Sequence, residues 1–165
     1  MNIPIVTKDD TIIGYKERAK IDLTKDIFRT ASVWITNSHG DVLLAQRKLT
    51  KRVNPGVWAE AVGGTVEGDD SYELTAIREA EEELGIADIK LTLGPKQLIT
   101  TPCRYFVQWY TAVIDKDITS FVIQSEEVEQ IAWVPRAQLE TELTEYPEKY
   151  IEAMAEIARL FPATR

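Results

Sequence analysis

One cysteine and one histidine are all the thiol and imidazole chemistry that these 165 residues offer. Cys103 has no partner for an intramolecular disulfide and no second thiolate for a Cys₂ metal site, which suits a reducing cytoplasm, the expected location. His39 lies in Asn37-Ser38-His39-Gly40-Asp41, a turn sequence in which a histidine is ordinarily plain surface. Basic residues are scarce as well. Lys and Arg number 19 against 27 Asp and Glu, so the net charge of −8 excludes the basic footprint of non-specific nucleic-acid binding. No run of about eighteen apolar residues occurs, so no membrane span is expected. Residues 1–10 lack the basic-then-apolar pattern of a signal peptide. The expected partner is a small molecule, and an acidic chain binds an anionic one most readily through an intervening cation.

Hydrophobic residues make up 44% and charged residues 28%, an ordinary globular balance. The length suits a single domain, 1–165, with no repeat or linker. Residues 3–6 and 11–15 flank a polar turn and read as an N-terminal hairpin. A second hairpin is expected over 31–36 and 42–46, followed by a strand over 57–62. From 71 to 84 the period becomes helical, with Asp70 or Ser71 as cap, Gly85 as stop, and Leu74, Ile77, Ala80 and Leu84 as the expected core face. Strands are expected at 89–99, 105–114 and 130–134. A short helix should follow Pro135 to 143, and a last helix 147–161 should carry Tyr150, Met154, Ile157 and Phe161 as its core stripe. Strands interleaved with helices imply an α/β fold, a mixed sheet covered on both faces.

The informative segment runs from Gly63-Gly64-Thr65-Val66-Glu67-Gly68-Asp69-Asp70 to Arg78-Glu79-Ala80-Glu81-Glu82-Glu83-Leu84-Gly85-Ile86. At about 100° per residue, Glu79, Glu82 and Glu83 fall within one arc of roughly 100°, while Glu81 points elsewhere. Like charges so close repel. Mg²⁺ (or Mn²⁺) would relieve that repulsion while keeping coordination positions for water and phosphate. Arg78, beside this face, suits a bidentate pair with a carboxylate better than a substrate contact. Taken alone, an acidic run is usually a solvated helix face. The wider pattern outweighs that reading, because its six best-defined positions coincide by chance on the order of once in 10⁵ chains of this length.

The segment resembles the Nudix box, G-x5-E-x7-R-E-U-x-E-E-x-G-U with U a bulky aliphatic, except that Asp70 replaces the first Glu and Ala80 a larger aliphatic. The resemblance implies a Nudix-type α/β/α sandwich and divalent-metal dependence. It also implies hydrolysis of a diphosphate linkage in a nucleoside diphosphate derivative or similar substrate. It carries the metal-binding role to Glu79, Glu82 and Glu83, which with Arg78 form the implied catalytic set. It also sets Gly63 and Gly64 against the substrate.

Residues 41–48 and 51–58 are similar to the same region of type I isopentenyl-diphosphate isomerases, which share the Nudix fold. With the N-terminal hairpin, read as a family-specific extension over 1–28, that likeness covers roughly 5 to 85. It implies that Arg47 and Lys51 hold the substrate diphosphate, a task that suits a cation pair; the plainer reading is two solvent-facing charges. The isomerase chemistry itself is missing. Gly63 stands at its catalytic cysteine, and Ile21, Phe28 and Thr65 stand at its histidine ligands. Double-bond isomerisation needs an acid–base pair, so the resemblance is to the hydrolase branch. Several Nudix hydrolases carry a catalytic or metal-binding Glu just before the strand at Trp133. That implies Glu126 or Glu127 here, Glu127 being the candidate base, against a merely solvated loop. Trp58, Phe106, Trp109 and Tyr110 are of a type that stacks a base, but on strands such residues are more often core. The sequence leaves monomer and homodimer equally open.

Overall fold

The core is set by strand alternation. In β3 (Phe28–Thr36), Ala31, Val33 and Ile35 face one side of the sheet and Trp34 the other; in β4 (Val42–Arg47), Leu43 and Ala45 oppose Val42 and Leu44 in the same way. Each face therefore needs its own cover. In the computed structural model, which describes residues 2–163, helix α1 (Tyr72–Leu84) covers the first face. Helices α2 (Arg136–Glu145) and α3 (Met154–Leu160) cover the second. The result is an α/β/α sandwich. Among the described residues no helix is long and apolar enough to cross a membrane.

The sheet is mixed. β3 runs parallel to β8 (Tyr105–Val113), which pairs antiparallel with β7 (Thr92–Ile99). On its other side β3 meets β4 only at Thr36↔Val42, and the two strands then diverge. β4 pairs with β5 (Trp58–Glu60) and β9 (Val128–Val134), while the N-terminal half of β3 pairs with β6 (Val62–Thr65). The strand expected over 57–62 is thus two short ones, with the chain changing partner at Ala61. Glu60 lies at this corner.

Helix α1 begins at Ser71, whose side chain accepts from Leu74 N at 3.1 Å, and ends at Gly85 with φ +68°. The Ile86 N–H returns to Ala80 O at 3.2 Å, so the last carbonyls are satisfied. Its core face is Thr75, Ala76, Ala80 and Leu84, and Leu74 is 56% exposed, which corrects the expected face. The stripe runs Ala76-Ala80-Leu84 at four-residue steps, and Leu74 lies about 200° around the axis from Ala76. Small side chains at the contact mark the packing face here; bulk does not.

The last helix is also shorter than expected. Residues 147–149 form a single 3₁₀ turn. Tyr150 then bridges Trp58 at the edge of β5, with Ile151 N bonded to Trp58 O at 3.0 Å, before α3 starts. A β-type contact with a distant strand overrides local helical periodicity, although Tyr150, Met154, Ile157 and Phe161 all pack in the second core.

β1 (Asn2–Val6) and β2 (Ile12–Glu17) form a separate two-stranded sheet. Asp10, in the hairpin loop, fastens it to the body by accepting from Arg29 Nε at 2.6 Å, Tyr72 Oη at 3.0 Å and Lys96 Nζ. Burial alone would raise the Asp10 carboxyl, but Lys96, Arg29 and Tyr72 outweigh it and hold it below its ordinary 3.8. The stabilisation is therefore full above that value and is lost as pH falls through the lower folded-state value. Asp10 has φ +60°, which Asn tolerates, so Asp10→Asn isolates the charge. It is expected to lower the unfolding free energy by about 1–3 kcal/mol and to flatten the acid limb of stability against pH, read by urea denaturation.

Candidate active site

Two glycines bring the end of β6 against α1. The Gly63 N–H donates to Glu83 Oε2 at 3.0 Å. At Gly64 a Cβ would lie 2.1 Å from Glu79 Cδ, so the Glu79 carboxyl group occupies the space a side chain would need. Gly64→Ala is thus expected to displace that carboxylate and lower turnover roughly 10–100-fold while shifting thermal stability little; paired kinetic and melting measurements check this.

Burial, reinforced by Glu79, Glu60 and Glu127, pushes the Glu83 carboxyl up to about 8 against the opposing Gly63 hydrogen bond. Burial also raises Glu79, with Arg78 partly compensating. Arg78 is the local counter-ion. It reaches Glu79 at 2.9 Å, Glu82 at 3.4 Å and Asp70 at 3.6 Å, while its Nη2 is buried without a partner. The guanidinium thus clamps carboxylates, as expected, and Asp70 serves as one of its partners. Glu82 is about half exposed.

Glu60 was not anticipated from the sequence. It is half-buried as a residue, yet its carboxylate is enclosed. Oε1 accepts from Ser32 Oγ at 3.4 Å, and Oε2 is buried with no partner. Burial raises this carboxyl, with Ser32 and the charge of Arg47 opposing. Glu60, Glu83 and Glu127 share a small cavity of about 40 Å³ with Arg47.

Arg47 also lines the main cleft, about 510 Å³, together with Glu60, Gly63, Gly64 and Glu83. Its Nε donates to Val53 O at 3.1 Å. Lys51 is not brought to that cleft. Its ammonium donates to both oxygens of Glu127 at 2.6 Å. Glu126 lies exposed in the preceding loop. Of the aromatic candidates, Trp58 is half-buried and Phe106, Trp109 and Tyr110 are buried, and Trp109 alone of the four lines the cleft.

Among the described residues, no three His, Cys, Asp or Glu side chains form a closed metal-binding group. Glu79 and Glu82 are turned to Arg78, and Glu83 to a backbone N–H. The donor set nevertheless fits a hard cation. It is all carboxylate oxygen, it is crowded enough to raise Glu79 and Glu83, and it adjoins an unpartnered Glu60 oxygen.

The family model described as NUDIX domain matches residues 26–156. The chain belongs to the Nudix family. The Nudix hydrolase SCO1686 of Streptomyces coelicolor is 31% identical over 87% of this chain and 80% of its own length. PA4841 of Pseudomonas aeruginosa is 32% identical over 82% and 79%. Among solved structures, DR0079 of Deinococcus radiodurans superposes with a TM-score of 0.82 at 21% identity, covering 96% of this chain and 98% of that one. The Nudix domain of Shewanella oneidensis NrtR, solved with ADP-ribose, gives 0.64 at 18% identity over 94% and 96%. The chain is a Nudix hydrolase by family. The Nudix match begins at residue 26, so β1 and β2 precede it.

Proposed function

We propose that the chain hydrolyses a diphosphate linkage in a nucleoside diphosphate derivative or a similar substrate. Mg²⁺ or Mn²⁺ would be held by Glu79, Glu82 and Glu83. The observation that carries this reading is a cleft whose wall combines carboxylates with Arg47. The buried Glu83 and Glu60 present negative charge, the Gly63–Gly64 backbone leaves room beside them, and the guanidinium supplies a bidentate anion contact. The cation, when bound, polarises a phosphoryl oxygen and acidifies water.

The remaining work falls to the chain. Arg47 orients the diphosphate, Gly63 and Gly64 admit it close to α1, and Arg78 keeps the carboxylates in register. Glu127, aligned by its two bonds from Lys51, accepts the proton of the attacking water as it adds in line to phosphorus. The likeness of residues 5 to 85 to the isomerase-like branch supports a diphosphate beside Arg47, with Lys51 as a second cation nearby. The isomerase reading itself is not favoured. Gly63 offers no nucleophile or acid, and Cys103 lines neither the cleft nor the acidic cavity. ADP-ribose on the Shewanella domain is the kind of diphosphate this reading requires.

The test is a panel of nucleotide sugars, dinucleotides, nucleoside di- and triphosphates and isoprenyl diphosphates with Mg²⁺ or Mn²⁺, scored by released phosphate and nucleotide. Turnover on a diphosphate-linked compound is expected. Thermal stabilisation by ligands without any turnover would instead mark a binding module.

A further inference from the structure

Two buried polar atoms at the main cleft have no partner, and they are of opposite kind. Glu60 Oε2 is an acceptor and Trp109 Nε1 is a donor. Both residues line the same cleft. They are also neighbours through Ser32, whose hydroxyl bonds Glu60 and whose Cα pairs with Trp109 across the β3–β8 ladder, which puts Ser32 and Trp109 on one face. Thr30 and Gln97 add further polar lining, while Phe28 and Tyr105, stacked with centroids 5.5 Å apart, supply an aromatic wall.

An enclosed orphan carboxylate oxygen is destabilising, by burial without a compensating hydrogen bond. An orphan indole N–H is a smaller burden of the same sign. Folding stability alone favours neither atom at this position. A ligand carrying a donor and an acceptor would satisfy both, and one without them would leave both unpaired in a space that it had closed to water. Such a site discriminates by the penalty it inflicts on the wrong ligand, and the penalty for unmet hydrogen bonds exceeds that for a missing methylene.

We propose that Glu60 and Trp109 determine specificity for the group attached to the diphosphate. Glu60 Oε2 accepts from a hydroxyl or N–H of that group, and Trp109 Nε1 donates to one of its acceptors. The favoured substrates are then diphosphates of polar rings, a ribose or base edge, and hydrocarbon-linked diphosphates are rejected. This rests on the reading that the cleft binds a diphosphate, but it concerns binding and not cleavage.

The experiment accordingly uses probes that cannot be cut. Calorimetry with Mg²⁺ compares the α,β-methylene analogues of the four common nucleoside diphosphates with dimethylallyl methylenediphosphonate. The parent chain is expected to bind at least one nucleoside probe roughly 30-fold or more tighter than the isoprenyl probe. Glu60→Leu is expected to reduce that preference to within about 3-fold, chiefly by weakening the nucleoside probe. Glu60→Gln, which keeps one acceptor oxygen, is expected to lie between the two. Trp109→Phe, which removes only the N–H from an aromatic position, should weaken the preference without abolishing it. Glu60→Gln is also expected to melt no lower than the parent, an outcome that a structural role for the carboxylate would reverse.

Several results overturn the proposal. One is equal binding of both probe classes by the parent, as when water alone satisfies the two atoms; another is no binding of either. A third is unchanged preference in Glu60→Leu and Glu60→Gln. A fourth is loss of Mn²⁺ affinity by electron paramagnetic resonance in Glu60→Gln, which would make Glu60 a cation ligand. Absence of turnover on the substrate panel would sink the proposed hydrolysis and leave this discrimination standing.

Discussion

Glu83→Gln and Glu82→Gln are each expected to lower turnover at least ~100-fold, the scale of losing preorganised charge stabilisation at a phosphoryl centre. The two positions reach that result from different surroundings. Glu83 is enclosed, bonded to the Gly63 N–H, and crowded by Glu79, Glu60 and Glu127. Glutamine keeps an oxygen for Gly63 and removes a charge that burial disfavours, so the variant should melt at or above the parent's temperature. Glu82 is half exposed, and its longest link is to Arg78 at 3.4 Å, so its neutralisation should shift stability by less than about 1 kcal/mol. A fall in kcat without a fall in melting temperature assigns the side chains to the reaction, since a scaffold role would move both together. Glu81→Gln, one residue away on an exposed part of the helix, is the control and should behave as the parent. Rates within a few-fold of the parent for Glu82→Gln or Glu83→Gln would reject the role given to that residue.

The acidic helix was legible because its pattern is local. Residues three and four apart on a helix share a face whatever the rest of the chain does, so Glu79, Glu82 and Glu83 could be grouped before any tertiary contact was known. The two glycines were legible for a related reason, standing next to that helix in sequence. Glu60 was not. Its burial follows from the chain leaving β4 for β3 at Ala61, and no residue type signals such a change of partner; a Glu in a short Ala-rich strand reads equally well as solvent-facing. The Lys51–Glu127 pair joins residues 76 apart in sequence, and it places a presumed phosphate ligand on the presumed base. The core face of α1 was misjudged because bulk was weighted over spacing, and the break before α3 because Trp58 holds Tyr150 and Ile151 in a β-type contact. Layers and element types were thus readable from periodicity. Contacts between segments distant in sequence were not, and these decide which polar groups line the cleft.

Removal of divalent cations is expected to have the largest effect of all. With the cations chelated, turnover should fall by roughly 10³-fold or more, because a Lewis acid contributes several kcal/mol at the transition state and each 1.4 kcal/mol is tenfold in rate. Restoring Mg²⁺ or Mn²⁺ should recover it. The same titration has a second readout that does not depend on substrate. A cation that binds the folded chain alone stabilises it by about 2.7 kcal/mol at a hundred times its dissociation constant. For a chain of this size that is a rise of roughly 5–10 °C in melting temperature. The physical source is the repulsion among carboxylates that Arg78, as a single charge shared among Asp70, Glu79 and Glu82, leaves only partly neutralised. Potassium chloride at matched ionic strength should not reproduce the rise, because screening relieves exposed charges and barely reaches Glu83 and Glu60. In the Glu79→Gln/Glu83→Gln double variant the rise should shrink to within about 1 °C, since too few anionic oxygens remain to replace the cation's hydration. Full turnover under chelation, or a melting temperature indifferent to Mg²⁺ in the parent, would mean that these side chains hold no cation and that the diphosphate is cleaved, if at all, by another device.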